Sequence, residues 1–255
     1  MELVDYMKSL KNRDARTTVH NQSLPMTYHD MKKLMKYLQK PSTISEYGEG
    51  LCLFFQAFAA TGFTLWTRND ELATLKGAAV VRGLVTDIGT PYMTIRLGFR
   101  KTNQSDPLKA NIYEIHPQSD EPDCCCYTKL SAWLQWLEKH SRTLTDEDLV
   151  FPSIDKRGRP KIGEEISQSR VLTLLESFSK AAGLLDGKTN GKYTTHCFRR
   201  GGAQHRFMFT KNKWSLKALK WWGGWSERDG SSTIMRYLLE EVTRYETGFG
   251  DMLSP

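Results

Sequence analysis

Two neighbouring segments near the C-terminus restrict this chain more than any other part of it; they read TTHCFRRGGAQHRF and LKWWGGWSERDGSSTIMRYLLEEV. The first places His196 three residues before Arg199, and positions i and i+3 share one face of a helix. An imidazole and a guanidinium on one face can bind the same anion. In the second segment Trp225 ends a Trp-Gly-Gly-Trp turn, and Tyr237 follows it. A tyrosine after such a cationic pair indicates a nucleophile directed at a phosphate.

Gly201 and Gly202 continue the first segment inside a predicted helix of about 195–209. Each glycine costs roughly 0.5–1 kcal/mol relative to alanine at such a position. Two in succession indicate that another backbone comes very close here, either that of a neighbouring helix or that of DNA.

The composition is that of an ordinary folded protein. The chain has 255 residues, 39% of them hydrophobic and 25% charged, which suffices for one large domain or two small ones. A formal net charge of +7 weakly favours a polyanionic partner. No apolar run approaches the roughly 18 residues that span a bilayer, and the N-terminus lacks the apolar stretch of a secretory signal. The sequence predicts an intracellular protein with no membrane partner.

The run Cys124-Cys125-Cys126 does not have the spacing of a zinc site. Zinc-binding cysteines usually have spacers between the ligands and a second pair downstream. We interpret the run as helix packing, and we expect neither a metal nor a cofactor.

Hydrophobic periodicity predicts a mainly helical chain. Thr27 is a typical N-cap, and the apolar residues after it trace one helical face as far as Pro41. The stretch 46–61 is apolar on several sides, which predicts a central helix with Gly62 as its C-cap. Further helices are expected at 68–75, 124–140, 168–182, 215–222 and 232–243. The charged segment DKRGRPKIGEE, residues 155–165, is interpreted as a loop.

Residues 79–116 have a different character. AVVRGLVTD, PYMTIRLGF and ANIYEIHP are rich in β-branched and aromatic residues and are separated by turn formers. They predict a three-stranded antiparallel sheet, with FRKTNQSDPLK as a long polar hairpin tip. The predicted fold class is therefore α+β, mainly helical with one small sheet, in a single compact domain.

Cleaving a phosphodiester without a metal requires positive charge at the non-bridging oxygens and a proton for the leaving oxygen. A guanidinium suits the first task because it is always charged and offers a planar fork of donors. An imidazole or an indole N–H adds directed donors. A lysine on a hairpin tip can protonate the leaving group, and a tyrosine can attack the phosphate. The sequence offers each part: Arg68, Lys101, His196, Arg199, Trp225 and Tyr237.

Together these motifs resemble the catalytic domain of the tyrosine recombinases, which are site-specific DNA integrases. Arg68 lies in TGFTLWTRNDELATL, where Glu71 and two leucines follow at the family's spacing. The histidine–arginine box is THCFRRGGA, the third box is GGWS, and Tyr237 lies in IMRYL. Lys101 matches the family's lysine between the second and third strands. HCFRRGGAQHRFMF and WWGGWS are most similar to the recombinases of fungal Crypton-type mobile elements.

The resemblance implies the DNA breaking–rejoining fold and a strand transfer that needs neither metal nor ATP. Tyr237 attacks the phosphate, which gives a 3′-phosphotyrosyl link and a free 5′-hydroxyl. Lys101 protonates the leaving oxygen, and Glu71 supports the site. The residues that hold the non-bridging oxygens are Arg68, His196, Arg199 and Trp225.

The spacing of the nucleophile departs from the family pattern. ERDGSS makes the gap between Trp225 and Tyr237 longer than usual. Tyr245, two turns further along, is therefore an alternative nucleophile. Tyr237 is preferred because Ile234 and Leu238 flank it in the family's manner.

The N-terminal part of the chain also departs from the family pattern. The family carries a helical domain ahead of the catalytic one, which completes a clamp around DNA. We interpret residues 1–26 as an N-terminal arm or the stub of a missing domain, and residues 27–255 as the catalytic domain.

The expected activity is site-specific recombination that integrates or excises a mobile element, in the nucleus if that element is eukaryotic. One alternative is a catalytically retired DNA-binding protein, which the intact set of catalytic residues disfavours. The other is a type IB topoisomerase, which uses the same tyrosine chemistry to relax DNA without a synaptic tetramer.

The expected partner is double-stranded DNA, whose phosphates attract basic side chains. The residues expected to contact the DNA backbone are Lys156, Arg157, Arg159, Lys161 and Arg200. The C-terminal amphipathic helix is expected to join protomers into a dimer or tetramer on DNA, with packing on its own core as the alternative.

Overall fold

The computed structural model describes residues 23–98, 110–155, 158–186, 192–210 and 214–225. The N-terminal half contains the helices α1 (Tyr28–Leu38), α2 (Pro41–Tyr47), α3 (Glu49–Leu65) and α4 (Asn69–Ala73), followed by the strands β1 (Val80–Val85), β2 (Pro91–Leu97) and β3 (Asn111–Ile115). Next come α5 (Cys126–His140), β4 (Pro152–Ile154), β5 (Pro160–Glu165), α6 (Gln168–Ala181), α7 (Cys197–Gln204) and α8 (Leu216–Gly223). The expected site residues Lys101, Lys156, Arg157, Tyr237 and Tyr245 lie outside the described residues, as do 1–22 and the predicted helix 232–243.

Helix α3 forms the centre of the fold and packs against both α5 and α7. The sequence predicted Gly62 as the C-cap of this helix, and that prediction was wrong. Gly62 lies inside the helix at the contact with α7, where a Cβ would be 3.3 Å from the Cβ of Phe198. The helix continues to Leu65 and ends at Trp66, which has a left-handed backbone (φ 51°). The glycine therefore allows close helix packing and does not terminate the helix.

The periodicity of the outer helices predicted their buried faces correctly. Thr27 caps α1 and forms a capping box with Asp30. Helix α6 ends beside Gly183, whose φ is 67°. The apolar faces that the pattern selected are buried in α1 and in α5: Met31, Leu34, Met35 and Leu38, and Leu130, Trp133, Leu134 and Leu137.

The predicted sheet is confirmed, with strand order β1-β2-β3 and antiparallel pairing throughout. Ile95 pairs with Tyr113, and both side chains are buried on the inner face. The interpretation of 155–165 as a loop was wrong, because β5 pairs with β4 in a hairpin. Gly158 turns that hairpin with φ 76°. The mostly exposed β5 carries no alternation of apolar residues that the sequence could reveal.

All five cysteines are buried and reduced. Among the described residues, no three His, Cys, Asp or Glu side chains come close enough to hold a metal ion.

In the described part of the chain, no helix combines the length and apolarity needed to cross a bilayer.

Candidate active site

Arg68 is held in place by the helix that follows it. It is the N-cap of α4, and its backbone N–H donates to Oε2 of Glu71 at 2.9 Å. Its Nη1 donates to the other oxygen of the same carboxylate, also at 2.9 Å. The side chain of Glu71 is nearly buried, whereas 23% of the Arg68 side chain is exposed. The carboxylate thus fixes the guanidinium, and part of that group remains accessible to an anion.

Trp66, two residues before Arg68, adopts a conformation that bulky side chains rarely accept. It is the only non-glycine residue in the described ranges with a positive φ. Its carbonyl accepts a hydrogen bond from Nη1 of Arg199. One unusual turn therefore connects the segment that carries Arg68 to the buried Arg199. The sequence contained no signal for this role, because an aromatic residue gives no indication of left-handed backbone.

Arg199 lies entirely inside the protein. Its Nη2 donates to the carbonyl of Gly223 at 2.9 Å, in addition to the bond with Trp66. Its guanidinium carbon is 4.6 Å from the centre of the Trp225 ring, which is a cation–π contact. The family resemblance implied that Trp225 holds a non-bridging oxygen of the phosphate; in this structure its ring lies against the arginine. With the arginine fully buried, a phosphate can reach this guanidinium only after some of the groups that cover it move.

His196 precedes α7 as its N-cap, with its backbone N–H donating to Oγ1 of Thr194 at 3.3 Å. His196 is exposed at the start of the helix, whereas Arg199, three residues later, is buried. Desolvation by the surrounding protein lowers the pKa of His196, and the charges of Arg199 and Arg68 lower it further. Both arginines are therefore within electrostatic reach of one neutral imidazole.

The lowered pKa of His196 leads to a testable prediction. Its ring should titrate below the ordinary value of 6.5 in a histidine-detected NMR titration of the DNA-free protein. Arg68→Gln removes a positive charge and should raise that pKa, whereas Asp70→Asn removes a stabilising negative charge and should lower it. A titration at or above 6.5, or shifts of the opposite sign, would show that these charges do not meet at the imidazole.

The turn that carries Trp225 is held from two directions. Nε1 of Trp222 donates to the carbonyl of Thr64 in α3 at 2.8 Å. The hydroxyl of Tyr113 in β3 donates to the carbonyl of Trp222, also at 2.8 Å. The two adjacent tryptophans differ in burial: 52% of Trp221 is exposed, while Trp222 packs against the core. Helix and sheet together thus fix the end of α8.

The two glycines of α7 meet protein backbone, as their position in a helix indicated. A Cβ on Gly201 would lie 1.8 Å from the carbonyl oxygen of Met26, and one on Gly202 would lie 1.9 Å from that of Phe63. The neighbouring backbones belong to the segment before α1 and to α3. The sequence left open whether a neighbouring helix or DNA approaches these glycines. In the structure, the protein's own backbone occupies the space beside them.

The residues expected to contact DNA separate into two groups. Arg200 is only 4% exposed and donates to the carbonyl of Ser23, so it does not face solvent where a DNA backbone could reach it. Arg159 and Lys161 are partly exposed in the β4–β5 hairpin and form ion pairs with Asp155 and Glu164. Arg199 and Arg200 are thus both buried, because each donates to backbone carbonyls of segments that are distant in sequence.

No family model and no curated protein matches the sequence. Solved structures do match. A structure of the XerH site-specific recombinase bound to palindromic difH substrate, in a post-cleavage complex, has a TM-score of 0.56 and 16% identity, over 91% of this chain and 54% of that one. A pre-cleavage XerH complex has a TM-score of 0.54 and 15% identity, over 92% and 56% of the two chains.

A lambda integrase dimer bound to a COC′ core site has a TM-score of 0.52 and 15% identity, over 88% of this chain and 51% of that one. This chain spans about half the length of the chains that it matches. Identities this low establish a common fold and nothing more specific. The chain has the fold of the tyrosine recombinase catalytic domain.

Proposed function

We propose that this chain is a DNA strand transferase, a site-specific recombinase that cleaves and rejoins DNA through a 3′-phosphotyrosyl link. One observation carries the proposal. Arg68 and Arg199, 131 residues apart in the sequence by subtraction of their numbers, both act on the pKa of His196. Two guanidiniums around one imidazole are the donors that a phosphate in a phosphoryl-transfer reaction requires.

The roles follow from the accessibility of each group. Arg68 is partly exposed and oriented by Glu71, so it makes the first contact with a non-bridging oxygen. His196 is neutral at pH 7 and donates a ring N–H to the same phosphate. Arg199 adds its charge once Trp225 moves off its guanidinium. The empty space that the ring leaves is then available to the phosphate.

The covalent steps require the residues outside the described ranges. The hydroxyl oxygen of Tyr237 attacks phosphorus and its proton passes to water; the bond to the 5′ oxygen breaks, and Lys101 donates a proton to that oxygen. The phosphoryl group remains bonded to the tyrosine, so a 5′-hydroxyl from another strand can reverse the reaction. The cycle consumes no high-energy compound, and we propose that it needs neither ATP nor a metal ion.

The proposed substrate is double-stranded DNA. The net charge of +7 supports an anionic partner, and the XerH and lambda integrase structures are complexes with their DNA sites. Arg159 and Lys161 are the described candidates for phosphate contacts, with Lys156 and Arg157 beside them in the chain. Self-association through the C-terminal helix, a mobile-element role of the Crypton type and a nuclear location complete the proposal.

Trapping the covalent intermediate tests the proposed activity whatever the target sequence is. The protein is incubated with a library of nicked duplexes that have a randomised central segment, and complexes that survive SDS are recovered. We expect a protein–DNA adduct whose sequences converge on one site, with the DNA attached through its 3′ phosphate to a tyrosine. Binding without any adduct would contradict the proposal.

A second candidate, a retired DNA-binding protein, is favoured by the complete burial of Arg199 under Trp225. It predicts selection of a DNA site from the same library without a covalent product. A topoisomerase would relax supercoiled plasmid that carries no selected site, and it would yield no recombinant product from two sites.

A further inference from the structure

The segment just before α1 lies against the stretch that leads into α7. We call residues 23–26 the N-terminal strap. Pro25 has no backbone N–H, and the residues on either side of it donate backbone hydrogen bonds. The bonds of the strap are Leu24 N–H to the Lys192 carbonyl at 3.0 Å, Met26 N–H to the Cys197 carbonyl at 3.0 Å, and Thr194 N–H to Oγ of Ser23 at 3.0 Å. The strap therefore forms hydrogen bonds with residues that precede His196 and with the residue that follows it.

Arg200 supplies a further connection. Its buried Nη1 donates to the carbonyl of Ser23, the first described residue of the strap. Consecutive residues of a helix point about 100° apart, so the guanidiniums of Arg199 and Arg200 leave α7 in different directions. Arg199 binds the Trp66 and Gly223 carbonyls, and Arg200 binds the strap. The first turn of α7 is thus held from two sides.

Two further contacts keep the strap in this position. The hydroxyl of Tyr193 donates to Oδ2 of Asp30 at 3.0 Å, and both side chains are buried. Asp30 also completes the capping box at the start of α1. Gly201 leaves no room for even a methyl group beside the Met26 carbonyl. The strap, the start of α1 and the start of α7 are therefore joined by direct contacts.

We propose that Arg200 is a positioning residue for strand cleavage: bonded to the N-terminal strap, it fixes the turn that presents His196 and Arg199 and makes no contact with DNA. The inference rests on the proposed function. A guanidinium donates a strong charge-assisted hydrogen bond, and catalytic groups lose about 100-fold in rate when displaced by roughly 1 Å. A buried arginine that holds a backbone carbonyl can thus control a reaction that it does not touch.

The test compares Arg200→Met, which keeps the volume but removes every donor, with Arg200→Lys, which keeps one charged donor. The probe is a nicked duplex of the site recovered from the randomised library. Arg200→Met should bind it with unchanged affinity and unchanged salt dependence, and should form the adduct about 10- to 100-fold more slowly in a single turnover. Arg200→Lys should recover part of that rate. Arg159→Met, at an exposed candidate, is the comparison for a phosphate contact, with a salt slope reduced by about one.

Two results with DNA would overturn the inference. A reduced affinity and salt slope in Arg200→Met would make Arg200 a phosphate contact, and an unchanged cleavage rate would remove it from the reaction. Both results are interpreted only if the wild-type protein forms the adduct. A wild-type protein that forms no adduct would contradict the proposed function itself, and the two failures can therefore be distinguished.

Amide hydrogen exchange tests the same connection without DNA. In Arg200→Met, the amides of Leu24 and Met26 should exchange faster than in wild type; in Arg200→Lys, which keeps one donor, they should exchange at a rate between those of the other two proteins. The amides of α3 serve as the internal control and should not change. Unchanged exchange in the strap would overturn the inference, even in a protein that never cleaves DNA.

Discussion

Tyr237→Phe should abolish the SDS-stable adduct while the affinity for the same duplex stays at the wild-type value. Phenylalanine keeps the ring and loses the hydroxyl oxygen, so no bond to phosphorus can form. Arg68, His196 and Arg199 are untouched, so the donors for the phosphate remain. The measurement is a denaturing gel of protein incubated with the selected nicked duplex, alongside a native gel of the same mixtures.

Tyr245→Phe is the matched control, because it removes the same atom from the second tyrosine that the sequence allows. It should form the adduct at the wild-type rate. The opposite result, with Tyr245→Phe inactive and Tyr237→Phe active, would move the nucleophile to Tyr245. Peptide mapping of the wild-type adduct by mass spectrometry gives an independent assignment of the attached tyrosine.

The parts of the fold that the sequence predicted well are those with one buried face. Met31 and Leu34 in α1, and Trp133 and Leu137 in α5, recur at helical spacing because one side of each helix meets the core. The sheet was predictable for a similar reason, since its β-branched and aromatic residues favour strands. Strand β5 was missed because it is largely exposed and pairs with one partner only.

The sequence motifs select candidate residues for the site, but they do not give the orientation of the side chains. The motifs selected Arg68, His196 and Arg199, and in the fold the charges of both arginines act on the His196 imidazole; their catalytic role stays a prediction. The same motif gives Arg199 and Arg200 identical chemistry, and nothing in it reveals that both are buried. Their burial depends on carbonyls of distant segments, namely those of Trp66, Gly223 and Ser23. Such acceptors have no side-chain signature, so only the three-dimensional structure identifies them.

In this structure the Trp225 ring covers the guanidinium of Arg199, which the proposed reaction requires to be accessible to a phosphate. The guanidinium donates to two carbonyls and lies against an aromatic face, so its charge is stabilised before any phosphate arrives. Under the proposed function, DNA would have to replace at least one of these contacts with a phosphate oxygen. Arg68 is already partly exposed and needs no such exchange. If the proposed function is correct, this difference in burial predicts that a phosphate contacts Arg68 before Arg199.

Gly202→Ala should destabilise the protein by about 3 kcal/mol, although helix propensity alone predicts a gain of roughly 0.5–1 kcal/mol for that change. The new Cβ would lie 1.9 Å from the carbonyl oxygen of Phe63 and 2.7 Å from Cδ1 of Trp66. Neither neighbour can yield easily, because Phe63 belongs to the central helix α3 and Trp66 accepts the hydrogen bond of Arg199. Urea denaturation followed by circular dichroism measures the change. Gly98→Ala is the control, since its Cβ would meet no atom of the described residues within 4 Å and its φ is not positive. It should leave the free energy of unfolding within about 0.5 kcal/mol of wild type. A Gly202→Ala protein as stable as this control would mean that α7 does not pack against α3 at the distance described, and the buried position of Arg199 would then have to be abandoned with it.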